Sequence, residues 1–237
     1  MIVDLFIPCF VDQVYPQIGF NLIKILEKIG VRINYNPEQT CCGQPSFNSG
    51  FWKETKEIAN KFLNDFPNKR TIVSPSASCT AFVKNYYPDL IQDSEDTKEN
   101  ESFSGNHKRV SENLCEITDF LINKMKISDL GAEFNAKVTY HDACSALREY
   151  GIKNEPRKLL ENVKGLELIE MNNSDTCCGF GGTFSVKNEP ISTAMAQQKI
   201  NNAMETGAEY IVSTEASCLL HLEGYIKSIN YLLKQFI

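Results

Sequence analysis

Ile72-Val73-Ser74-Pro75-Ser76-Ala77-Ser78-Cys79 and Ile211-Val212-Ser213-Thr214-Glu215-Ala216-Ser217-Cys218 are two copies of one pattern, I-V-S-x-x-A-S-C. Each copy opens as a short apolar strand and closes on a cysteine. Upstream of each lies a vicinal pair followed by glycine, Cys41-Cys42-Gly43 and Cys177-Cys178-Gly179. Further upstream stands one more cysteine, Cys9 or Cys144. The intervals match: 32 and 33 residues from the first cysteine to the pair, then 37 and 40 from the pair to the last. Eight of the nine cysteines thus form two sets of four, offset by 135 to 139 residues, and the chain is an internal repeat.

Both halves read as alternating strands and helices. In the first, strand 2–7 precedes a helix over 16–29, whose apolar stripe is Ile18, Leu22, Ile25, Leu26 and Ile29, with Pro16 at its start and Gly30 at its stop. Strand 31–35, a helix over 52–66, strand 70–74 and a short helix over 79–87 follow. The second half repeats the order with strand 136–141, a helix starting near Pro156, strand 166–171, a helix over 190–206, strand 209–213 and a final helix over 219–235. In every case the cysteines follow a strand. The expected fold is α/β, two pseudo-repeated Rossmann-like lobes with cysteine-bearing loops at the carboxyl ends of the strands. The domains expected are 1–91, an insertion at 92–108, a connecting helical segment at 109–135, and 136–237. Residues 92–108 carry five acids, two lysines and one apolar side chain, so the insertion is expected to be mobile and His107 solvated. Leu114 to Met125 reads as an amphipathic helix in which Cys115, which has no counterpart in the repeat, is a packing residue.

The 237 residues are 42% hydrophobic and 23% charged, enough for two domains each with its own core. Net charge is −6 with a pI near 5.2, which argues against a nucleic-acid binder. No transmembrane segment or signal peptide is legible, so a cytoplasmic location is expected. There nine thiols point to metal or redox chemistry before disulfides. Structural zinc sites favour short C-x₂₋₄-C hooks, which are missing, whereas a Cys-Cys pair with two distant thiolates suits a polynuclear iron–sulfur cluster. Gly43 and Gly179 permit positive φ and close backbone approach at such a loop. Gly179-Phe180-Gly181-Gly182 lacks the G-x-G-x-x-G spacing of a dinucleotide loop and belongs to the cysteine site. His141 and His221, each three residues from a cysteine of the second set, are candidates for donation to a sulfide, proton transfer or ligation, beside an ordinary hydrogen-bonded role.

The segments Phe6-Ile7-Pro8-Cys9, Glu38-Gln39-Thr40-Cys41-Cys42-Gly43-Gln44-Pro45, Tyr140-His141-Asp142-Ala143-Cys144 and Cys177-Cys178-Gly179-Phe180-Gly181-Gly182 resemble those of the CCG-domain, or cysteine-rich, iron–sulfur proteins. That superfamily includes the cysteine-rich component of heterodisulfide reductase, the glycolate oxidase iron–sulfur subunit and the lactate-utilisation proteins, the last being the most similar. The resemblance implies a cytoplasmic complex oxidising L-lactate to pyruvate. This chain would be one subunit, inactive alone, beside two other lactate-utilisation subunits that include a ferredoxin-type iron–sulfur protein. It also implies metal ligation by Cys9, Cys41, Cys42, Cys79, Cys144, Cys177, Cys178 and Cys218. The cofactors would be two [4Fe–4S] clusters, with cubane and non-cubane forms both open. The fuller superfamily motif closes with C-x₂-C; Ser76 and Glu215 stand at its penultimate position, leaving four cysteines per set and two candidate oxygen ligands. A thiol–disulfide redox subunit of the heterodisulfide reductase type and a zinc-stabilised binding module are the competing readings.

Overall fold

Strand β1 (Ile2–Leu5) lies between β2 (Arg32–Tyr35) and β3 (Ile72–Ser74), and β4 (Leu114–Glu116) extends the sheet beyond β3. All three pairings are parallel, with Asp4 opposite both Asn34 and Ile72, and Val73 opposite Cys115. The computed structural model describes residues 1–91, 97–229 and 234–236. It divides into two compact units, Met1–Ile117 and Thr118–Ile237. The second unit repeats the first: β5 (Glu133–Tyr140), β6 (Lys164–Leu168), β7 (Tyr210–Val212) and β8 (Lys234–Phe236) stand in the order β6-β5-β7-β8, again all parallel. Parallel neighbours require long crossovers, which the helices supply. The duplicated order makes the fold two Rossmann-like α/β lobes.

The strand order fixes where a site belongs. The chain runs outward from β1 to β2, then returns to place β3 on the other side of β1. Loops leaving β1 and β3 therefore diverge, and the crevice at such a reversal is where open α/β sheets bind ligands. Cys9 follows β1 and Cys79 follows β3; Cys144 follows β5 and Cys218 follows β7.

The two cores differ in chemistry. In the first unit Phe6, Phe62, Phe66, Phe82, Tyr87 and Phe103 are all buried, with the Phe6 and Phe62 rings edge-to-face at 4.8 Å. In the second, Ala136, Val138, Tyr140 and Val212 form one cluster, aliphatic Ile200, Ile211, Leu219 and Leu222 are also buried, and the Arg157 guanidinium lies over the Tyr140 ring at 4.6 Å.

Three sequence expectations are corrected. First, residues 97–108 are not a mobile insertion; they belong to a helix, Thr97–Asn113, while 92–96 lie outside the described residues. Phe103 and Val110, at helical spacing, are buried, and His107 Nε2 between them pairs with the Val83 carbonyl at 2.9 Å. The anchor is hidden in the sequence because half of its stripe lies beyond the acidic segment. Second, 109–135 is not a helical connector. Leu114, Cys115 and Glu116 are the buried strand β4, followed by short helical turns at Ile117–Asp119 and Phe120–Lys124, and β5 begins at Glu133. Third, the last helix is Ala216–Ser228, and Lys234–Phe236 is strand β8 rather than its continuation.

Candidate metal centres

In the first unit, Cys9 opens the helix Cys9–Val14 directly after β1, and Cys41 and Cys42 end the loop leaving β2. Cys79 sits in the first turn of the helix Ala77–Asn85, which Ser76 caps by accepting from the Cys79 amide at 3.3 Å. The four thiols form a connected chain. Cys9 Sγ donates to Cys41 Sγ at 3.3 Å, and Cys42 lies within hydrogen-bond reach of both Cys41 and Cys79. Cys41 accepts from the side chains of Cys42 and Cys9 and, at 3.4 Å, from the Gly43 amide; these bonds outweigh burial and hold its thiol well below the usual range. Cys42 is pushed up by its bonds to Cys41 and Cys79 and by burial. Cys41 thus supplies one favoured thiolate within a set of four sulfur donors.

The second unit repeats this order. Cys144 bonds Cys177, Cys177 bonds Cys178, and Cys178 bonds Cys218. The Gly179 amide donates to Cys177 Sγ at 3.4 Å, as Gly43 does to Cys41. Both glycines have left-handed backbones, φ +89° at Gly43 and +94° at Gly179. They also let the pair pack on the following helix: a Cβ on Gly43 would meet Thr55 Cγ2 at 3.2 Å, and one on Gly179 would meet the Ser192 carbonyl oxygen at 2.6 Å.

The loops before the pairs are held differently. Gln39 accepts from the Ile7 amide at 2.8 Å and donates to the Asn36 carbonyl at 3.0 Å, tying β1 to the Cys41 loop. In the second unit Asp142 performs the same tie from the strand side. It accepts from both Arg157 guanidinium nitrogens at 2.8 Å and from Ser174 Oγ at 2.9 Å. Burial opposes its charge, but Arg157 and Ser174 prevail and hold its carboxyl below the usual range.

His141 joins the second set: one of its ring nitrogens and the Sγ atoms of Cys178 and Cys218 all lie within 4.8 Å of one another. Burial pushes its imidazole down to about 3, Lys199 adds to this, and Asp142 and the Ser174 backbone oppose it. His221 lies against the loop after Cys178 but outside that group, its ring 6.1 Å from that of Phe180 and its Nε2 3.0 Å from Ser192 Oγ. Ser76 caps a helix, and Glu215 is buried at the start of the helix carrying Cys218, outside the His141–Cys178–Cys218 group. Lys199 is a site residue that the motifs do not flag. It is wholly buried, donating to the Asn173 and Ser174 carbonyls at 2.6 and 3.0 Å. Burial lowers its ammonium to about 8, against the charge of Cys178 and of nearby acids, which favours the protonated form.

Duplicated α/β lobes, each with a Cys…Cys-Cys-Gly…Cys set at its strand ends, define a cysteine-rich protein of the CCG type. Residues 3–84 and 138–223 both match the cysteine-rich domain family CCG, and the chain belongs to that family. It is 39% identical over 230 residues to lactate utilization protein A of Geobacillus kaustophilus, covering 97% of this chain and 93% of that protein. It is likewise 39% identical over 231 residues to lactate utilization protein A 1 of Bacillus mycoides, covering 98% and 92%. Among solved structures, a hypothetical protein from Helicobacter pylori superposes with a TM-score of 0.59 at 11% identity, over 99% of this chain and 47% of that one, which speaks for the fold alone. Among the described residues no helix is long and apolar enough to cross a membrane.

Proposed function

We propose that this chain is the iron–sulfur subunit of a cytoplasmic multi-protein system that oxidises L-lactate to pyruvate. The observation that carries the reading is the duplicated four-thiol set, on a chain whose relatives are named for lactate utilisation. Cys9, Cys41, Cys42 and Cys79 would hold one cluster, and Cys144, Cys177, Cys178 and Cys218 the other. The donor chemistry fits, since each set offers four soft sulfur ligands, with a buried imidazole beside one set. Iron–sulfur clusters so held accept and release single electrons.

The residues around them fix the ligands. Gly43 and Gly179 direct an amide at the first sulfur of each pair, and Gln39 and Asp142 lock the loops. Oxidation of lactate to pyruvate releases two electrons and two protons. The first acceptor of that pair is normally a flavin or nicotinamide, and neither half carries a dinucleotide fingerprint. The two-electron step is therefore assigned to a partner, one of two further lactate-utilisation subunits, with a ferredoxin-type protein among them. Purified chain with loaded clusters should give negligible lactate-dependent dye reduction and gain it when the partners are added. Robust turnover by the isolated, flavin-free chain would overturn the subunit assignment.

A further inference from the structure

The two cysteine sets lie on different floors. Phe6 and His141 each stand three residues before the first cysteine of their set. In the helix behind each vicinal pair, the buried residues Thr55, Ala59, Phe62 and Leu63 correspond in spacing to Ser192, Ala196, Lys199 and Ile200. Lys199 therefore occupies the station of Phe62, and His141 that of Phe6. In the first unit these two stations hold a dry edge-to-face aromatic pair. In the second they hold an imidazole and an ammonium.

Lys199 has partners, the Asn173 and Ser174 carbonyls. His141 has no well-aligned partner among the described residues: it is 0% exposed, neither Nδ1 nor Nε2 makes a hydrogen bond, and the nearby Ser174 carbonyl is taken by the Lys199 ammonium and the Asp142 amide. Buried polar groups left so are rare without a reason. The only other donor atoms gathered with its ring among the described residues are Cys178 Sγ and Cys218 Sγ.

We infer that His141 is a nitrogen ligand of the second metal centre, which makes that centre a mixed nitrogen–sulfur site unlike the all-sulfur set of the first unit. This rests on the reading that the second cysteine set holds metal. The asymmetry has a consequence for potential. Lys199 brings positive charge near Cys178 and Cys177, where the first unit has the apolar Phe62, and this favours the reduced state of the second centre.

The test is pulsed paramagnetic resonance on anaerobically loaded, reduced protein, prepared with ¹⁵N-histidine and at natural abundance. Wild-type protein should show a histidine nitrogen coupling as strong as a directly bound imidazole gives. The coupling should persist in His107→Gln and His221→Gln. It should vanish in His141→Phe, a side chain that the first unit carries at the same station. His141→Phe should keep its iron, because four cysteines remain. The labelled wild-type protein decides the matter even if that variant folds poorly. Absence of a strong histidine coupling in the wild type, or its survival in His141→Phe, would overturn the inference. If the protein loads with zinc instead, the iron–sulfur function fails. Zinc X-ray absorption then still decides the ligand, mixed nitrogen and sulfur supporting it and sulfur alone overturning it. Binding of no metal at all would overturn both.

Discussion

Gly179 lies against Ser192 so closely that a methyl group on its Cα would sit 2.6 Å from the Ser192 carbonyl oxygen. Ser192 Oγ in turn donates to the Gly179 carbonyl at 2.8 Å. The second vicinal pair is thus clamped to the helix Glu189–Glu205 through its glycine, and the direction of both sulfurs depends on that clamp. Gly43 meets a gentler neighbour, the Thr55 methyl at 3.2 Å. Left-handed backbone alone costs an alanine about 1–2 kcal/mol. Gly43→Ala should therefore lower stability by about that amount and largely keep its metal. Gly179→Ala should cost more and empty the second set, as read by thermal melting and by metal per chain.

The ninth cysteine separates packing from ligation. Cys115 is buried in β4, with Sγ 3.5 Å from the Ile72 carbonyl oxygen. Cys115→Ala should leave metal content unchanged and cost about 1 kcal/mol for a small cavity. Cys42→Ala and Cys178→Ala should each lose one of the two centres. Equal loss in all three variants would show that the division into two sets of four is incomplete.

Phe103 is the anchor of a segment whose composition is otherwise polar. Its ring is 1% exposed and lies 6.2 Å from that of Tyr87, whose hydroxyl donates to the Cys42 carbonyl at 2.8 Å. Phe103→Ala should destabilise the first unit by roughly 3–5 kcal/mol. Because Tyr87 couples that cavity to the vicinal pair, metal in the first set should also become easier to remove by chelators, whereas the second set should be unaffected.

His107 gives the first unit a pH dependence with a defined sign. Burial pulls its imidazole below the ordinary value of 6.5, against the hydrogen bond to the Val83 backbone. The folded chain therefore binds fewer protons at this site than the unfolded chain. Stability is full above the ordinary histidine value and falls as pH drops through it. Denaturant melts from about pH 7.5 down to about 5 should show that slope, and His107→Gln should flatten it.

The cysteine register, the I-V-S strands and the Pro16–Lys28 helix are readable in the sequence because each depends on local pattern. Strands β4 and β8 are not. Each is three residues long and becomes a strand only by pairing with β3 or β7. Leu114 and Cys115 instead merge into the helical spacing of Ile117, Leu121 and Met125. Lys199 is hidden for a related reason. A lysine in the polar-looking run Gln197-Gln198-Lys199 reads as solvent-facing, and only the match to Thr55, Ala59 and Phe62 turns it inward. His141 is visible as a candidate, but its lack of a well-aligned hydrogen-bond partner belongs to tertiary structure alone.

The central claim is that the two sets hold iron–sulfur clusters. Chemical analysis of iron and acid-labile sulfide in anaerobically purified protein tests it most directly. If both sets carry [4Fe–4S] clusters, the brown protein should contain about eight irons and about eight sulfides per chain, and about half in Cys42→Ala or Cys178→Ala. A colourless protein holding only stoichiometric zinc would contradict the account.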